Sequence, residues 1–195
     1  MKKMTALLAV LLAAVLTLAA CGSDETTSSK GGSSSANTHN DADVTFARDM
    51  IPHHEQAVQM SKMAATHAQS AEVKQLASDI DGAQGPEIDT MTKWLESWGE
   101  DAPSDSMGHE DMGHGSTSEM PGMMDENEMG KLDQAQGAVW DQMFLTMMIE
   151  HHEGAIEMAK TEQADGQNAD AIALAEKIER AQTAEIAKMK SMLKS

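Results

Sequence analysis

Apolar residues recur at helical spacing along two stretches of the chain. At 100° per residue Phe46, Met50, His53, Ala57, Met60 and Ala64 fall within a stripe about 80° wide. Val73, Leu76, Ile80, Gln84, Met91 and Leu95 make a second stripe able to face it. The polar run from Thr66 to Ser70 separates the two, which predicts a helical hairpin over 41–98. The pattern then returns, because Phe46 to Leu95 aligns without a gap with Phe144 to Leu193 at a constant offset (144 − 46 = 98). One copy reads MIPHHEQAVQM and the other MIEHHEGAIEM. The second copy, over 125–195, has its polar break at Gln163 to Asn168. Two such hairpins predict an all-α four-helix bundle, and no strand-like alternation of useful length competes with it. Asp125 with Glu128 three residues later has capping-box spacing, so a short extra helix is expected ahead of the third main helix. Pro52, where the second copy has Glu150, is expected either to start the first helix or to kink it.

Outside the repeats the pattern changes. Residues 1–20 carry Lys2 and Lys3, then an apolar run from Ala6, then small residues. The run is about 15 residues long, too short for an ordinary span and typical of a secretion signal. Leu18-Ala19-Ala20-Cys21 resembles the bacterial lipobox, so Cys21 is expected to be lipidated and to anchor the chain to a membrane in the cell envelope. The stretch 21–40 is rich in Ser, Thr, Gly and Asn and reads as a flexible tether, with His39 a solvated histidine in it.

Within the second helix Glu87 lies at −20° to Ile80, inside the apolar stripe, and Glu185 repeats it. An unpaired carboxylate there would cost several kcal/mol or take up a proton, so it needs a partner. Residues equidistant from a hairpin turn lie at equal height. Counting from residue 69, His53 lies 16 residues before it and Glu87 lies 18 after (69 − 53 and 87 − 69), which levels the two and likewise brings Met50 to Met91. Met148, His151, Glu185 and Met189 are the equivalent set, with Met147 an added sulfur and Met60 and Met158 extending each cluster. His54 and His152 fall at the edge of the stripe, between ligand and surface positions. His67 has no counterpart and reads as structural.

Composition sharpens the chemistry. Of 195 residues 18 are methionine, eight histidine and one cysteine, which excludes a disulfide scaffold and a cysteine-cluster zinc site. The net charge of −18 argues against binding nucleic acid. Thioether sulfur coordinates Cu(I) well and calcium or magnesium poorly, and imidazole serves either copper oxidation state. A metal held by these residues would therefore be copper, Cu(I) above Cu(II), with Ag(I) as a soft mimic. The spacing fits one shared site or two. In the linker, 99–124, Met107-Gly108-His109 and Met112-Gly113-His114 form soft-metal chelate units on an acidic, aperiodic stretch. Two other readings compete. Methionine is also ordinary core filler and a His–Glu pair can be a self-contained hydrogen bond, so a metal-free interaction bundle is one. A ferritin-like oxidase is the other, but the four main helices lack the Glu-x-x-His pairs that chemistry uses.

The paired histidines, with Phe46, Met50, Ala57 and Met60 in one half and Phe144, Met147, Met148, Ala155 and Met158 in the other, resemble the bacterial family known as domain of unknown function 305. The lead-in Pro121-Gly122-Met123 resembles it too. The resemblance implies an extracytoplasmic, ferritin-like helical bundle, secreted or membrane-anchored, with some members linked to copper handling. It implies no established reaction.

Overall fold

The structure is a computed structural model in which residues 38–103 and 120–194 are described. Five helices follow in order: α1 Asp41–His67, α2 Ala71–Trp98, α3 Glu126–Gln134, α4 Gly137–Asp165 and α5 Ala169–Met192. Apart from one isolated bridge between Ala68 and Gly137, the described residues contain no strand pairing. The chain is an all-α bundle of two hairpins, α1–α2 and α4–α5, with the short α3 leading into the second.

Local chemistry sets the helix starts. Asn40 Oδ1 accepts from the N–H groups of Ala42 and Asp43 at 2.9 and 3.1 Å, while the Asp43 carboxylate accepts from Asn40 N–H at 2.6 Å. Asp125 and Glu128 make the same reciprocal cap on α3 at 2.7 and 2.9 Å. Ser70 and Asn168 cap α2 and α5. Pro52 lies well inside α1 and does not start it. Its missing N–H leaves the Arg48 carbonyl without its usual helical donor.

Two apolar clusters fill the bundle. One joins Ala57, Met60, Ala64, Leu76 and Ile80 to Leu132, Trp140, Phe144, Met148 and Met189. The other joins Phe46, Ala47, Met50, Met91 and Leu95 to Ala155, Ala159, Ala175 and Ile178. Residues before His53 on α1 thus pack with residues after His151 on α4, and the reverse holds in the other cluster. The two helices therefore cross antiparallel at the histidines, and the small Ala47, Ala57, Ala155 and Ala159 let them approach closely.

Each repeat also caps the other. Asp43 accepts from the backbone N–H groups of Gln167 and Asn168 in the α4–α5 turn, the latter at 2.8 Å. Its counterpart Asp141 (43 + 98) accepts from Gln69 and Ser70 in the α1–α2 turn at 3.0 and 2.8 Å. In this exchange a side chain of one repeat satisfies turn donors that would otherwise be left unpaired at a helix start.

The second repeat adds Glu162 where the first has Ala64, and it lies buried against Asp43. Burial, then hydrogen bonding to Asp43, then the Asp43 charge push the Glu162 carboxyl up to about 8. It is therefore mostly protonated at neutral pH and donates to Asp43. Burial also raises Asp43, but the Glu162 hydroxyl and the backbone donors of Asn168, Asn40 and Gln167 outweigh it and hold Asp43 below its ordinary value. A folded pKa above the ordinary 4.5 means that the Glu162 contribution is full below pH 4.5 and is lost as pH rises through about 8. Glu162→Gln, which keeps a donor at every pH, is expected to melt above the native chain near about pH 9 and close to it near about pH 5. Parallel melting curves across that range would contradict the shared proton.

Candidate metal centre

A polar layer separates the two apolar clusters. It consists of His53 and His54 on α1, Gln84 and Glu87 on α2, His151 and His152 on α4, and Gln182 and Glu185 on α5. The four histidines have no solvent exposure, and Gln84, Glu87 and Gln182 are buried while Glu185 is half-buried. Adjacent histidines can both be buried because α1 packs against α2 and α4 at once, and α4 against α5 and α1. Side chains 100° apart then face different neighbours.

That geometry changes the pairing expected from the count along each hairpin. Glu87 pairs with His54 rather than His53, Nε2–H donating to Oε2 at 2.9 Å. Glu185 pairs with His152 rather than His151, at 2.7 Å. His54 and His152 are therefore interior residues, because the edge of the stripe on which each lies is the side facing its hairpin partner, α2 for His54 and α5 for His152. His53 and His151 instead meet each other across the α1–α4 crossing, with ring centroids 3.8 Å apart and planes tilted by 41°.

The partners define the tautomers. The Pro121 carbonyl can only accept, so His53 Nε2, 3.0 Å from it, carries the proton. The Glu87 and Glu185 carboxylates likewise accept from Nε2 of His54 and His152. In His53 the lone pair is then on Nδ1; in all three rings Nδ1 is buried without a protein partner, and His151 has neither ring nitrogen partnered. A carboxylate or carbonyl on one nitrogen with the other free is the arrangement that orients metal-binding histidines. Burial, then the neighbouring His54, pulls His53 down to about 3, against a weaker upward pull from the Pro121 carbonyl. Burial, then His53, lowers His151 well below its ordinary value. Both rings are neutral and need lose no proton to bind a cation. Burial raises Glu87, but His54 and Lys177, whose Nζ lies 3.0 Å from Oε1, outweigh it and keep the carboxylate ionised.

The thioethers flank this layer. Met50, Met91, Met148 and Met189 are fully buried, the first two in one apolar cluster and the last two, with Met147, in the other. Met60 lies in the cluster of Met148, and Met158 packs against the cluster that holds Met50. Among the described residues no three His, Cys, Asp or Glu side chains converge on one point. A cation held here by imidazole would thus need sulfur to complete its shell. His67 ties the end of α1 to α3 through Asp133 O at 3.0 Å, and His39 stacks on Trp98 at 4.7 Å instead of standing free in solvent. Cys21, Met107, His109, Met112 and His114 lie outside the described residues.

The sequence singled out Pro121-Gly122-Met123 for its family resemblance alone and gave it no place at the site. Residues 121–124 cross the α1–α4 pair, where Gln56 holds Met124 through its N–H and carbonyl, both at 2.8 Å. The position equivalent to Gln56 (56 + 98) is Gly154, and a Cβ there would strike the Pro121 carbonyl. Gly122, at φ +76, sits directly on the α4 backbone at His151 and Gly154. The difference between the two copies at this position was the available signal. Polar Gln84 and Gln182, identical in two apolar stripes, were another.

The sequence profile described as Domain of unknown function (DUF305) matches residues 43–193. The chain belongs to the DUF305 family. It is similar to a DUF305 protein from Streptomyces coelicolor, at 34% identity and a TM-score of 0.69 over 78% of this chain and 90% of that one. A DUF305 fragment from Deinococcus radiodurans follows at 28% identity and a TM-score of 0.68, covering 79% and 96%. CopM in its Cu(II)-bound form is 31% identical with a TM-score of 0.65, covering 78% and 95%. CopM is also known in Cu(I)-bound and Ag-bound forms, each at 29% identity. No functionally curated protein shows a significant match.

In this DUF305 chain the Pro121 contact depends on Gly154 having no side chain. Gly154→Ala is expected to displace 121–124, release His53 Nε2 and cost about 1–3 kcal/mol. Denaturant melts and the nitrogen resonances of the His53 ring check this. Native values for both would contradict the packing.

Proposed function

We propose that the protein is an extracytoplasmic copper-binding protein that sequesters or relays copper, with Cu(I) preferred over Cu(II) and Ag(I) accepted. The observation that carries this reading is the set of buried imidazoles whose Nδ1 atoms have no partner while three of the four Nε2 atoms are held by oxygen. Nitrogen atoms in that condition cost stability unless something binds them. In the reading, His53, His54, His151 and His152 supply nitrogen, and Met50, Met91, Met147, Met148 and Met189 supply sulfur. Glu87 and Glu185 act through the rings, fixing the tautomer and raising ligand basicity.

The metal-bound forms of CopM support the same ion class, as does the thioether chemistry. Lipidation at Cys21 would hold the bundle at the membrane, and Met107, His109, Met112 and His114 would serve as a weaker collector ahead of it. The large negative charge favours cation encounter.

Anaerobic Cu(I) titration against a competing chelator tests the assignment. His53→Ala and His151→Ala should abolish the tight site, and Glu87→Gln should weaken it about 10–100-fold while leaving linker binding in place. Native stoichiometry and affinity in the histidine variants would reject the site. A melting temperature unmoved by Cu(I), Ag(I), Cu(II) or Zn(II) would favour a metal-free bundle instead, because a ligand bound only by the folded state must raise it.

A further inference from the structure

We propose that a soft monovalent cation reaches the histidine layer through the groove between α3 and α4, with Met143 and Met147 as a thioether landing pair ahead of His151. The route rests on the copper-binding reading above.

The groove has a volume of about 370 Å³ and is lined by Glu128, Lys131, Gln142, Met143, Thr146 and Met147. Met143, Met147 and His151 are spaced four residues apart on α4, so they lie one above another on a single face. Helical side chains lean toward the N-terminus, which carries the His151 ring back over the turn that bears Met147. Exposure falls steadily along this line, from half-buried Met143 to Met147 at 9% and His151 at 0%. At its inner end stands the one histidine of the layer with both ring nitrogens unpartnered.

The pseudo-symmetric position offers no such line. The residues equivalent to Met143 and Met147 (143 − 98 and 147 − 98) are Thr45 and Asp49, which line a groove of about 350 Å³ with one thioether, Met158. Their hydroxyl and carboxylate are hard donors, poorly matched to a soft ion. The methionines themselves divide unequally. Met60, Met124, Met147, Met148 and Met189, with Met63, Met129, Met143 and Met192 packed against them, lie on the α3 side, against Met50, Met91 and Met158 on the other. Sulfur is thus concentrated on the side of the histidine layer that the α3–α4 groove opens to, and Lys131 at its rim is the feature that opposes a cation.

Stopped-flow transfer of Cu(I) from a coloured chelator to the full chain tests the route. Met143→Leu, which preserves packing, is expected to slow capture about tenfold with the final affinity unchanged, while Thr45→Leu captures at the native rate. Lys131→Glu should quicken capture. A native rate in Met143→Leu, an equal slowing in Thr45→Leu, or a matching loss of affinity in Met143→Leu would overturn the route while leaving the copper-binding reading intact. No Cu(I) uptake by the native chain would overturn both.

Discussion

The antiparallel crossing of α1 on α4 is the contact from which the other features of the bundle follow. Alanines above and below the crossing bring the helices close enough for His53 and His151 to meet at 3.8 Å between ring centroids. Since each of these helices also packs against its own hairpin partner, the next residue along, His54 or His152, faces a glutamate on that partner. A doubled histidine is the shortest sequence able to address two neighbouring helices at one height. The interior of the bundle is consequently divided, with apolar packing above and below and a polar layer whose hydrogen bonds leave Nδ1 of every ring unused and Nε2 of His151 as well.

The reciprocal caps from Asp43 and Asp141 hold the same crossing at its ends. Each hairpin needs its turn donors satisfied, and each obtains the acceptor from the other hairpin. Neither repeat is therefore complete by itself. Such mutual dependence is expected of supersecondary units that cannot bury their apolar face alone.

Departures from the repeat make the two halves chemically different. Gln56 and Gly154 together seat the segment 121–124, which gives an oxygen partner to His53 and none to His151. Lys177 supports the carboxylate of Glu87, whereas its equivalent (177 − 98) is Asp79, which pairs weakly with Lys188 at 3.8 Å. Titration pulls in opposite directions as well. His53 and His151 are held neutral, so the stability they contribute is present above their ordinary value of 6.5 and is lost as pH falls below it. The depressed Glu87 adds to that loss in acid, while Glu162 acts in the alkaline direction.

Much of this was legible in the chain. Helical period, the polar breaks and the 98-residue offset define two hairpins, and the Asp125–Glu128 spacing marks α3, because these signals depend only on near neighbours along the backbone. The level of Glu87 with the histidine pair was also countable, since rise per residue converts sequence distance into height. Which histidine faced the acid was not countable. Direction around a helix axis has meaning only once the flanking helices are known, and α1 has two. The same holds for Pro121 on His53, for Glu162 on Asp43 and for the concentration of sulfur beside α3. Each joins residues far apart in the chain, and their encounter is decided by how the two hairpins pack, not by any local preference of the residues that meet.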